Sequence, residues 1–205
     1  MDKYKKYFLV NKNVLIFLVG LMVVGLFFGS SLPFFLNEND KSVVSQYLCD
    51  FVNGIKNGCD YLDVLKNGII INGLFLFFLW ILGISIVGIP IVVFMFFYKC
   101  FIFGFSISSI IVNYGFKGVL FAFFYIFPHN AFSLLVYGLV SCFSLIFSMK
   151  LIGIIFKKSD FNLRVAFNKY FRMFILLFLC IIFCVLYETF VNPYVLRFIF
   201  KIIGV

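Results

Sequence analysis

The chain has 205 residues, is 64% hydrophobic and only 12% charged, and carries 34 phenylalanines and a formal net charge of +9. A globular domain is about 45–50% apolar and about a quarter charged, and a fold of this length has too little interior to hide so much apolar surface from water. Composition therefore excludes a soluble protein and predicts a polytopic membrane protein; the basic residues flank hydrophobic runs and form no recognisable nucleic-acid module, so no nucleic-acid partner is expected.

Lys3, Lys5, Lys6 and Lys12 precede the first apolar run, residues 14–35. An excess of lysine and arginine marks cytoplasmic flanks, which predicts a cytoplasmic N-terminus. The run is longer than the core of a cleaved signal and no A-x-A-like site follows it, so a retained signal anchor is expected. Within it Gly25 and Gly29 form a G-x-x-x-G pair. On a helix the two stack on one face and let another backbone approach. Packing inside the monomer is the favoured reading of that face, and a seam with a partner helix or in a homo-oligomer is the alternative.

Residues 37–67 are the one substantial polar stretch and are mildly acidic, with Glu38, Asp40, Asp50, Asp60 and Asp63 against Lys41, Lys56 and Lys66. Orientation places them outside the cytoplasm. Val44, Tyr47, Leu48, Phe51, Val52 and Ile55 follow helical spacing, which predicts a short amphipathic helix lying on the membrane or against a partner. The turn-forming NGIKNG then closes it. No D-x-D-x-D-G pattern appears, so these acids read as a solvated face and not as a metal site.

A second span is expected over 68–89, ending in LWILGISIVGIP with Trp80, Gly83, Gly88 and Pro90. A third follows over 91–113 with almost no linker, so either the two form a tight hairpin or Pro90 opens the next helix in its first turn. Lys99 stands about 13 Å into that third span at 1.5 Å per residue. Two readings apply to it. Its stem can snorkel to the cytoplasmic interface, or it is a functional intramembrane charge.

Residues 116–149 would make one helix of about 50 Å, too long for a single crossing. A break at Pro128-His129-Asn130 is expected to divide them into a half-helix at 116–127 and a fourth span at 131–149. Backbone freed at such a break needs internal partners or a wet cavity, and His129 and Asn130 can supply partners. His129 is the one histidine of the chain. The preferred role for it is structural, holding the broken helix together; a partner contact or a pH-sensitive switch beside a carboxylate comes second, and chemistry last.

The basic stretch 150–172 contains Lys150, Lys157, Lys158, Arg164, Lys169 and Arg172, and should be cytoplasmic. Anionic lipid headgroups are the expected counter-charges. A fifth span at 173–190 ends in ETFVNP, where Glu188 meets headgroup water at an electrostatically unfavourable helix end, which argues for a specific partner. After Pro193 the tail YVLRFIFKIIGV is too short to span and looks interfacial. Five spans put the C-terminus outside. No repeat or linker divides the chain, so residues 1–205 are expected to form one integral membrane domain.

Six cysteines show no zinc-ligand spacing. Cys100, Cys142, Cys180 and Cys184 lie in apolar runs, while Cys49 and Cys59 are placed so that they could pair across an extracytoplasmic turn. No H-E-x-x-H or G-x-S-x-G motif occurs. The expectation is therefore no catalytic residues, no metal, no cofactor and no enzymatic activity.

LWILGISIVGIP (79–90), GFSISSIIVNYGFKGVLFAFFYIFPHN (104–130), SMKLIG (148–153) and ETFVNP (188–193) occur in this order and at these intervals. With the short basic N-terminus and five-span layout, the set resembles the stage II sporulation protein M family of endospore-forming bacteria over nearly the whole chain. The sequence departs from the broader family in reading Pro128-His129-Asn130 where P-H-G is common, with no acid in the following AFSLL. The resemblance implies a helical membrane bundle at the sporulation septum and engulfing membrane. It implies a non-catalytic scaffold that recruits the septal peptidoglycan hydrolases, stage II sporulation proteins D and P, during engulfment of the forespore. A small transporter or channel component built on broken helices at Pro90 and Pro128 is the competing function; for it the chain offers few polar residues and no evident inverted repeat.

Overall fold

The computed structural model describes residues 12–56, 61–157, 163–191 and 194. Pro193, Cys59 and most of the tail that follows Pro193 lie outside the described residues, and with them the expected Cys49–Cys59 pairing and the interfacial tail. Among the described residues six long α-helices follow in order: α1 Lys12–Phe35, α2 Glu38–Lys56, α3 Tyr61–Gly83, α4 Gly88–Phe121, α5 Phe127–Lys157 and α6 Leu163–Phe190, with a π-helical turn Ala122–Ile126 between α4 and α5. There is no strand among the described residues. All but α2 are long and apolar enough to cross a membrane. In hydrocarbon every backbone amide must be bonded within the segment, which is why such apolar runs settle as helices.

α5 is the centre of the bundle. In its apolar stretch 72% of residues are buried, against 17–28% in the other four spans. Every residue from 141 to 148 is buried, and Leu76, Leu79, Val92 and Ile181 of the surrounding helices are almost wholly enclosed. Phe27, Phe94 and Phe183 face outward, as expected of a surface that meets lipid.

Of the two readings of Gly25 and Gly29, the structure has the one inside the monomer. A β-carbon on Gly25 would stand 2.8 Å from Cβ of Cys100, and one on Gly29 would overlap the Phe101 carbonyl. Gly104 of α4 returns the fit, its missing side chain facing the backbone of Leu26 and Ser30. Ser108 Oγ completes the seam by donating to the Ser30 carbonyl at 2.7 Å. The face is filled by α4 and offers nothing to a partner helix.

α3 begins at Tyr61, ahead of the expected 68, because Asp63 and Lys66 sit near a helix end, where charge reaches headgroup water. It stops at Gly83. The turn that follows bonds part of this end, Ile84 and Ser85 donating their N–H groups to the Ile81 and Leu82 carbonyls (3.0 and 3.1 Å). Side chains of α5 and α6 reach other carbonyls there: Ser144 Oγ donates to the Leu79 carbonyl (2.9 Å), Ser148 Oγ to those of Gly83 (2.7 Å) and Ser85 (3.0 Å), and the Tyr170 hydroxyl to that of Trp80 (2.7 Å). Trp80 itself stacks on Phe174 (4.8 Å) and Tyr170 (5.9 Å). α4 starts at Gly88, and Pro90 falls in its first turn, where a missing N–H costs nothing.

The break between the third and fourth spans has two parts. Gly115 has φ 57° and ψ −135°, a conformation open to glycine and costly for other residues. Beyond it the chain folds back, so that a β-carbon on Gly118 would collide with the Ile110 carbonyl. Pro128 acts differently. Its ring lacks an N–H and crowds the carbonyl four residues back. The π turn directly before it widens the ladder, with the Phe127 N–H reaching the Ala122 carbonyl. Helix then resumes through Pro128 without stopping.

Candidate functional site

α2 lies across one end of the bundle, the end opposite the basic residues Lys150, Arg164, Lys169 and Arg172. Polar side chains gather below it in two linked groups. The first joins the start of α5 to the end of α6. His129 is buried, and its Nε2 stands 3.0 Å from Glu188 Oε2 while its Nδ1 stands 3.2 Å from the Cys184 carbonyl. Thus His129 bonds not to a carbonyl freed at the helix break but to a different span. The carboxylate beside it is Glu188, from the end of α6. Both ring nitrogens face acceptors, and a neutral imidazole has one donor.

The second group lies deeper. Lys99 does not snorkel; its ammonium sits 4.6 Å from the centre of the Phe75 ring and 5.2 Å from that of Tyr137. It borders a cavity of about 80 Å³ whose polar walls are Asn72, Lys99, Ser106, Asn130, Ser133 and Tyr137. The Tyr137 hydroxyl donates to Asn72 Oδ1 at 2.7 Å, and Asn72 Nδ2 donates to the Gly68 carbonyl at 3.0 Å. Ser106 and Asn130 also border a larger hollow of about 410 Å³ beneath α2, which reaches Tyr47, Ser109 and Glu188.

His129, Asn130, Glu188 and Lys99 are therefore drawn into one region by α4, α5 and α6. Gly25, Gly29, Trp80 and Pro90 are not part of it and serve packing and the turn. Pro128 stands beside it, edging a third hollow with His129 and Cys184. Sequence reasoning passed over Asn72, Ser106, Ser133 and Tyr137. An asparagine inside an apolar run such as IIINGLF is a signal for Asn72; a lone serine or tyrosine in a span is not. Among the described residues no three His, Cys, Asp or Glu side chains converge as metal ligands would.

The family described as stage II sporulation protein M matches residues 13–193, all five spans included. The chain belongs to that family. No curated protein and no solved structure matches it. Membership makes it a sporulation-related, multi-pass membrane protein, and places the His129–Glu188 pair and the Lys99 cavity within the matched region of a stage II sporulation protein M family member.

Proposed function

We propose that the protein is a non-catalytic membrane scaffold that holds septal peptidoglycan hydrolases in place while the forespore is engulfed. Stage II sporulation proteins D and P are the partners implied by the family resemblance. The observation that carries this reading is the exposed apolar rim of α2. Val43, Val44, Tyr47 and Leu48 all border the hollow between α2 and α4, and while Val44 and Leu48 are half-buried there, Val43 and Tyr47, one helical turn apart, stay 60% and 78% exposed at its rim. Phe35, at the end of α1, is 83% exposed. An apolar strip at the rim of a membrane protein suits a partner that is itself anchored there. In this reading α2 faces the septal space and the basic end faces the cytoplasm.

A photoreactive residue in place of Tyr47, activated in sporulating cells, tests it. Trapping of a septal peptidoglycan hydrolase is the expected result. Trapping of lipid alone, with no hydrolase co-purifying, would overturn the scaffold reading.

A further inference from the structure

We propose that the cavity beside Lys99 is a binding site for a small monovalent anion, reached from the α2 end of the bundle. An ammonium group far from a helix end in a membrane bundle needs a partner, since an unpaired charge in hydrocarbon is expensive. Among the described residues no carboxylate lies within ion-pair distance of Lys99; ring faces are its neighbours. Aromatic faces offset only part of an ammonium's lost hydration. The Glu188 carboxylate is committed to His129. The Lys99 charge is thus without an ion-pair partner among the described residues. One monovalent anion balances it.

The walls are suited to that ligand. Tyr137 spends its hydroxyl proton on Asn72, and Asn72 spends its amide on Gly68, so these two are fixed as rigid wall. Three donors remain turned to the space: the Lys99 ammonium, the Ser106 hydroxyl and the Asn130 amide. Neither Ser106 nor Asn130 has a side-chain bond to another described residue. About 80 Å³ accommodates several water-sized groups, enough for a halide or a one- or two-carbon carboxylate. Bulky acids such as gluconate are too large. Entry is provided by the hollow beneath α2, which shares Ser106 and Asn130 with the cavity.

The test is thermal unfolding of the full chain in detergent micelles. Sodium chloride, or in a second arm sodium formate, replaces sodium gluconate at constant ionic strength. A saturable rise of the unfolding temperature is expected, and the arm that saturates at lower concentration tells a halide site from a carboxylate site. Lys99→Met should remove the dependence. Should Lys99→Met fail to fold, the double variant Ser106→Ala/Asn130→Ala decides, with a several-fold higher half-saturation concentration expected. A wild-type chain indifferent to both anions overturns the proposal. So does a response that survives in folded Lys99→Met, or an unshifted half-saturation in the double variant.

Discussion

At His129 one side chain ties the entry of α5 to the exit of α6, and the cost of cutting that tie can be argued from exposure. The imidazole is 6% exposed and the Glu188 side chain 34%. A buried group that loses its partner costs about 1–3 kcal/mol. Glu188→Ala strands an imidazole nitrogen in the interior but keeps the bond to Cys184, and should cost near the lower end. His129→Ala removes both bonds and leaves a void, so it should cost near the upper end. Their joint effect is the informative quantity. In the double variant no group is left unpaired, so its cost should fall short of the sum by about 1–2 kcal/mol. Reversible unfolding in micelles measures all three. Additive costs would show that the two side chains do not support each other.

Helix by helix, the seam between α1 and α4 is where backbone approach is closest, and two glycines of α1 make a controlled comparison. Gly29 faces the Phe101 carbonyl, whereas Gly20 has nothing within 4 Å of where its β-carbon would be. Gly29→Leu must push the helices apart, which costs about 1–3 kcal/mol or more for overpacking. Gly20→Leu adds an apolar group to an outward face and should leave stability within about 0.5 kcal/mol. Equal unfolding midpoints for the two variants would contradict this account of the seam.

The same seam shows what a one-dimensional reading can reach. The G-x-x-x-G spacing announces a close-packed face, and apolar run length announces five spans, because the bilayer imposes both rules on any chain. The helical spacing of Val44, Tyr47 and Leu48 announces α2 for the same reason, since one face of it must leave water. Gly115 was not legible. Its positive φ is required by the folding-back of 116–121 onto Ile110, a tertiary contact, while Pro128 advertises itself through a local clash. The site was half legible. His129, Lys99 and Glu188 stand out as ionisable groups in apolar surroundings, but helices that are apolar all round carry no signal of which neighbour they face. The pairing of His129 with Glu188 across 59 positions, and of Tyr137 with Asn72, therefore had to come from packing.

Among the described residues the acids lie at one end, with Lys41 and Lys66 beside them, and the larger basic group lies at the other. Lys150, Arg164, Lys169 and Arg172 lie at one end, and Glu38, Asp40 and Asp63 at the other. Membrane insertion retains loops rich in lysine and arginine on the cytoplasmic side, and acids have little influence. We therefore infer that α2 and the mouth of the Lys99 cavity open on the extracytoplasmic side, as a scaffold for wall hydrolases requires. Asp40 and Arg164 are exposed at opposite ends and serve as reporters. In a Cys49→Ser/Cys59→Ser background, a membrane-impermeant maleimide should label Asp40→Cys in intact protoplasts, and should reach Arg164→Cys only after permeabilisation. Cys100, Cys142 and Cys184 are buried and contribute little background. The reverse labelling pattern would turn the bundle over. It would put α2 in the cytoplasm, out of reach of any enzyme that cuts peptidoglycan, and the scaffold reading would fall while the anion cavity would survive with its mouth facing the cytoplasm.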